Sequence, residues 1–220
     1  MNLFQAIFAN KPSSVAVVFG DRQITYDELR HETLLTAQAL SGLEIAPGER
    51  VALLLHDSPE WVTSFIAICS LGAIAVPINM ALPAEQQCSI LHNSGARSAL
   101  VESDIRSTLL TDASEKLHQL KDVVVIGREG VESGLTLQRL QKENASSEVP
   151  EFSQPRENQP AFILYTSGST GDPKGAVHRQ ADIFHTNEGF CRQVLRVTVE
   201  DRLFSSSRQA FAYGLGNSLT

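Results

Sequence analysis

The sequence predicts an α/β fold, a mostly parallel sheet built from βαβ units with helices on both faces. Three observations carry the prediction. From Val51 onward, short apolar runs alternate with longer stretches of helical periodicity. The runs at 51–55, 74–76, 99–101 and 123–126 are apolar throughout, as strands covered on both faces must be. The segments between them are long enough for crossover helices, which join parallel neighbours.

Each element has a local reason. Leu3, Phe4, Ile7 and Phe8 share one helical face, so residues 2–9 are expected as a short amphipathic helix. The β-rich runs 15–19 and 23–25 flank Gly20-Asp21-Arg22 and predict a hairpin. Thr25-Tyr26-Asp27-Glu28 fits a capping box, and Leu29, Thr33, Ala37 and Leu40 continue the helix until Gly42. Ser58 can cap a helix that has Pro59 at its first position and runs to Leu71, with Gly72 behind it. Pro83 opens another helix that stops before Gly95, and Ile105, Leu109, Ala113 and Leu117 line a further one. Residues 141–160 are polar, carry Pro150, Pro155 and Pro160, and read as a surface linker. Ile183, Asn187, Phe190, Cys191 and Val194 predict a helix of about four turns from near Ala181. Residues 202–204 look strand-like, and the chain's last apolar stretch reads as a strand broken off in mid-element.

Composition narrows the function classes. The 220 residues carry 18 Lys and Arg against 25 Asp and Glu, a net charge of −7, with no basic run to meet nucleic acid or an anionic membrane. The longest apolar stretch, 65–76, contains Ser70 and Gly72 and is too short to span a bilayer. Met1-Asn2-Leu3-Phe4 lacks the basic lead of a signal peptide, so a cytoplasmic location is expected. Cys69, Cys88 and Cys191 are far apart and form no C-x-x-C pair, and the six histidines are scattered. Neither a disulfide framework nor a metal site is expected from that spacing.

The chemistry concentrates in residues 161–178, an apolar strand, a loop of glycines and hydroxyls, and a second short strand. Gly168, Gly171 and Gly175 are expected to let the backbone take positive φ and approach a ligand closely. Thr166, Ser167, Ser169 and Thr170 offer four hydroxyls within five positions, and Lys174 adds a mobile point charge suited to a polyphosphate. The loop is not an NTPase P-loop, because counting from Gly168 puts Pro173 and Gly175 where Gly and Ser/Thr are required. Nor is there a dinucleotide fingerprint, since Gly214-Leu215-Gly216 has Leu219 at the third glycine position.

From Tyr165 to Gly175 the chain matches Tyr-Thr-Ser-Gly-Ser-Thr-Gly-x-Pro-Lys-Gly, and so resembles the signature loop of the adenylate-forming superfamily. Residues 24–29 and the stretch Gly72-Ala73 to Pro77-Ile78 resemble two further landmarks of that superfamily. Val177-His178-Arg179 with Ala181-Asp182-Ile183, and Phe211-Ala212-Tyr213-Gly214-Leu215-Gly216-Asn217, are similar to aryl-CoA ligases of the benzoate type. Arg208-Gln209-Ala210 departs from the Lys and two apolar residues expected there.

The resemblance implies an incomplete N-terminal domain of the adenylate-forming fold. It implies a hairpin-and-helix scaffold (1–50), a βαβ subdomain (51–140), the linker (141–160), and a phosphate-loop strand, helix and start of an acid pocket (161–220). It assigns ATP to Thr166, Ser167, Gly168, Ser169, Thr170, Gly171 and Lys174, with Lys174 neutralising the leaving pyrophosphate. Phe211, Ala212, Tyr213 and Gly214 would wall the aryl-acid pocket, where a small residue beside an aromatic leaves a flat slot. ATP, Mg2+ and CoA are the implied cofactors and a small carboxylic acid the implied substrate. In relatives the adenine, ribose and hinge motifs and a small C-terminal domain lie beyond position 220. The chain is therefore expected to be part of a ligase and silent alone, the alternative being a non-catalytic phosphate-binding or assembly module. An amino-acid adenylation domain is disfavoured, because residues 211–216 hold no carboxylate for a substrate amine.

Overall fold

The computed structural model describes residues 2–9, 11–105, 119–127, 134–154, 158–166 and 173–219. Helix α1 (Leu3–Ile7) starts from a capping box between Asn2 and Gln5. Strands β1 (Val15–Phe19) and β2 (Arg22–Thr25) form an antiparallel hairpin in which Gly20 has φ 58°, a left-handed turn position that favours glycine. Thr25 ends β2 and caps α2 (Tyr26–Ser41), with Glu28 reaching back 2.8 Å to the Thr25 amide.

The six-stranded sheet has the order β6-β5-β3-β4-β7-β8. Its members are β3 (Arg50–Leu54), β4 (Ile74–Pro77), β5 (Ser98–Glu102), β6 (Asp122–Ile126), β7 (Pro160–Thr166) and β8 (Lys174–Arg179). All neighbours pair in parallel except β7 and β8. Helix α3 (Pro59–Ser70) joins β3 to β4, and α4 (Ala84–Ser94) carries the chain back across β3 to β5. Ser58 caps α3 by accepting from the Trp61 amide at 3.1 Å, and Gly95 ends α4 at φ 63°.

The sheet divides the core in two. Val51, Leu53 and Leu100 face α1, α2, α3 and α5 (Leu137–Asn144), with Trp61 and Phe65 fully buried between them. Ala52, Leu54, Val76 and Val101 face α4 through Ile90 and Leu91. This alternation within each strand makes the βαβ expectation hold, with helices on both faces.

The end of the chain differs from expectation in three ways. Residues 202–204 join no ladder, and Leu203 and Phe204 are exposed. The helix beginning at 180 is α6 (Gln180–Thr186), which continues as a π-helix over Asn187–Leu195 and ends at Arg196 with φ 56°. The last apolar stretch is helix α7 (Ala212–Ser218) and not a strand.

The polar stretch 141–160 is also more than a spacer. Its first residues complete α5, Phe152 packs against Phe4 with ring centroids 4.5 Å apart, and the Ser153 amide donates to the Ser70 carbonyl at 2.9 Å. One aromatic side chain anchors it where composition reads only polarity. The helix expected along Ile105 to Leu117 falls mostly outside the described residues.

Candidate active site

Thr166 and Lys174, which bracket the expected phosphate loop, lie at the carboxyl edge of the parallel strands, where open α/β sheets place ligands. β7 runs parallel to β4, so Thr166 ends at that edge, and the antiparallel ladder returns through Lys174, the register partner of Thr166. Ser167, Gly168, Ser169, Thr170 and Gly171 lie outside the described residues. Thr166 and Lys174, which bracket them, are both exposed, and among the described residues Lys174 has no ion-pair partner. Lys174 thus presents an exposed ammonium beside Thr166, unpaired among the described residues.

Gly175 has a different role from the one expected. It lies within β8 and its φ is not positive. A Cβ there would meet Ile163 Cγ2 at 2.9 Å and Tyr165 Cζ at 3.0 Å, because the Tyr165 ring of the facing strand lies over it. The glycine makes room for a ring, not for a ligand. The Tyr165 hydroxyl donates to Asn93 Oδ1 of α4 at 2.7 Å, and burial pushes the phenol above its ordinary pKa, which keeps the proton in place.

The base of the hairpin is fixed on the other face of the sheet. His178 stacks on Phe162, and Phe162 packs on Phe65 of α3. Arg179 then turns the chain into α6. Its guanidinium donates to Asp182 Oδ1 at 2.7 and 3.1 Å, while the Asp182 carboxylate also accepts from the Arg179 amide at 2.8 Å. These hydrogen bonds from Arg179 hold the Asp182 carboxyl below its usual range.

The second group of candidates is brought to the same edge. Asp57, just after β3 and before the Ser58 cap, accepts from the Gln209 amide at 3.1 Å. The turn 208–211 follows, closed by the Phe211 amide on the Arg208 carbonyl at 3.0 Å. His56 beside Asp57 is tied to Glu102 at the end of β5 through its amide at 2.6 Å and Nδ1 at 2.9 Å. Phe211, Ala212 and Tyr213 are exposed at the start of α7. Gly214 is buried against the Arg208 and Ser207 carbonyls, where a Cβ would collide with backbone. The structure thus gathers Thr166, Lys174 and residues 211–214 along one edge of the sheet. Asp57 and Asn93 went unnoticed in the sequence. Asp57 is signalled only by its place beside a helix cap, and Asn93 by nothing local.

Among the described residues, no three His, Cys, Asp or Glu side chains assemble into a metal-binding group. Among the same residues, no helix is long and apolar enough to cross a membrane.

Comparison with known proteins follows the same lines. Residues 4–220 match the family described as AMP-binding enzyme. Benzoate–CoA ligase of Thauera aromatica is 34% identical over 196 residues, covering 89% of this chain and 36% of the relative. The 3-hydroxybenzoate–CoA/4-hydroxybenzoate–CoA ligase of Thauera aromatica is 28% identical over 204 residues, covering 93% of this chain and 38% of the relative. The solved anthranilate CoA ligase AuaEII, in complex with anthranoyl-AMP, superposes on all of this chain and 42% of its own with a TM-score of 0.90 at 30% identity. A benzoate CoA ligase from Burkholderia xenovorans LB400 shares the fold, with a TM-score of 0.83 at 24% identity. The chain spans between 36% and 42% of the length of these relatives. Signature hairpin, parallel sheet and a family match over residues 4–220 agree, and the chain belongs to the AMP-binding enzyme family.

Proposed function

We propose that this chain supplies the triphosphate grip and part of the acid pocket of an AMP-forming carboxylate–CoA ligase that acts on benzoate or a similar aryl acid. The observation that carries the reading is the Thr166–Lys174 register pair, which closes the signature hairpin at the carboxyl edge of the sheet. There the substrate carboxylate attacks the α-phosphorus of ATP. The bond to the bridging oxygen breaks, pyrophosphate leaves, and an acyl-adenylate remains. Lys174 and the hydroxyls of Thr166, Ser167, Ser169 and Thr170 hold the β- and γ-phosphates, so charge that develops on the leaving group meets donors already in place. CoA thiolate then displaces AMP from the acyl carbon to give the thioester.

Mg2+ neutralises phosphate charge when bound. The sparse carboxylates of the described edge fit an ion that enters on the nucleotide rather than one held in a protein cage. Phe211 to Gly214 line the acid side, with Gly214 allowing α7 to close on the 207–208 backbone.

The test is benzoate-dependent ATP–pyrophosphate exchange and direct Mg-ATP binding by the 220-residue chain and its Lys174→Ala variant, beside a full-length aryl-CoA ligase. Mg-ATP binding that Lys174→Ala weakens about tenfold supports the reading, and exchange would assign the whole adenylating step to these residues. A chain that binds neither Mg-ATP nor pyrophosphate overturns it.

A further inference from the structure

The strand ends that carry the expected phosphate loop pair with each other through Thr166 and Lys174, and the parallel ladder from β4 does not reach them. β7 joins the parallel sheet through a single register pair, Ala75 with Phe162. Phe162 lies roughly 13 Å from Thr166 along an extended strand. The stack of Phe65, Phe162 and His178 is likewise at the base. On that face Leu164 still reaches the core, which leaves Tyr165 and Thr166 at the tip.

The tip is held on the opposite face. Tyr165, the residue before Thr166, lies over Gly175 and donates its hydroxyl to Asn93 at 2.7 Å. Asn93 in turn sits on a well-tethered helix end. Arg50 of β3 donates from Nε to the Ser94 carbonyl at 3.0 Å and from Nη2 to the Gly95 carbonyl at 3.1 Å. Gln87, one helical turn and a half earlier, donates to the Leu82 carbonyl at 2.9 Å. A continuous set of short polar links therefore runs from the central strand β3, through the end of α4, to the residue that opens the loop.

We infer that Asn93 is a positioning residue for the phosphate loop, acting through the Tyr165 hydroxyl to hold the tip of the β7–β8 hairpin against α4. The inference rests on the phosphate-binding reading of that loop. It assigns a role to a side chain some seventy residues away in sequence that touches no nucleotide itself. Strand ends held in advance lose less freedom when a triphosphate binds between them, so the link contributes to affinity without adding a ligand contact.

The test is amide hydrogen exchange and Mg-ATP titration calorimetry on the 220-residue wild type, Tyr165→Phe, Asn93→Ala, Asn93→Asp, and the Tyr165→Phe/Asn93→Ala double variant. Tyr165→Phe and Asn93→Ala should each speed exchange at 164–166 and 174–176 about five- to tenfold, the effect of losing one hydrogen bond. They should weaken Mg-ATP by a similar factor and leave β3 and β5 amides unchanged. The double variant should be no worse than either single one, and Asn93→Asp, which keeps an acceptor, should restore both readouts. Unchanged tip exchange in Tyr165→Phe overturns the clamp, as does acceleration spread evenly over the sheet. A wild type that fails to bind Mg-ATP overturns the phosphate reading and the loop role with it, whereas the exchange data report the clamp separately.

Discussion

The rings of Phe162 and His178 stack at 4.7 Å with planes 7° apart, directly opposite one another across the β7–β8 ladder. Through Phe65 and Trp61, themselves stacked at 5.2 Å, they extend an aromatic column from the buried face of α3 to the outermost strand. A strand at the sheet edge is thereby fixed by side chains on one face, not by a second ladder.

His178→Ala should cost about 1 kcal/mol, the usual worth of an aromatic cross-strand pair. His178→Phe, which keeps a flat ring, should retain most of it. Urea unfolding of the three proteins checks this, and equal midpoints for His178→Ala and wild type would show that the stack adds nothing.

Gly175→Ala should cost about 1–3 kcal/mol by overpacking against the Tyr165 ring. Gly214→Ala should be worse, because the obstacle is the Arg208 carbonyl, which cannot rotate away as a side chain can. Thermal unfolding that ranks Gly175→Ala as the more damaging change would contradict this.

The Asp182 carboxyl, held by Arg179 below its ordinary value of 3.8, gives a pH dependence of definite sign. Its contribution is fully present above 3.8 and is lost as pH falls through the lowered folded value. Acid unfolding should therefore steepen below about pH 4, and Asp182→Asn should flatten that limb while leaving its shape near neutrality unchanged. Denaturant midpoints between pH 2 and 7 decide it.

Lys174→Ala should leave the melting temperature within the range of an ordinary surface change, about 0.5 kcal/mol, since the side chain is exposed and has no ion-pair partner among the described residues. Pyrophosphate affinity should fall about tenfold, as expected for a lost charge-assisted contact, and less so at high salt. A large loss of stability would mean that Lys174 is structural.

How much was legible in the sequence depended on whether a position answers to its neighbours in the chain or to distant ones. Thr25 with Glu28, Ser58 with Pro59, and Gly95 punctuate helices by local rules, and the structure has those boundaries within a residue. The hairpin around the signature loop was legible for the same reason. Helix α7 was not, because Gly214 and Gly216 argue against a helix, and what selects Gly214 is the Arg208 carbonyl six residues earlier. The π-helical turn of Asn187–Leu195, the seat of Phe152, and the Asn93–Tyr165 bond depend on tertiary partners and leave no periodic trace.

The single ladder pair between β4 and β7 also bears on the order in which the molecule forms. β3, α3 and β4 are contiguous and close short loops. The hairpin docks through the Cys69 thiol on the Ala161 carbonyl and the Gln180 amide on the Cys69 carbonyl, spanning 92 and 111 residues. Loop-closure entropy makes such long-range docking late on the folding path and early to leave on unfolding. Pulse-labelling exchange should therefore protect β3 and β5 before β7. On that order the β7–β8 part of the sheet, which carries the proposed phosphate site, is built last, on a scaffold of β3, β4 and β5 that is already folded.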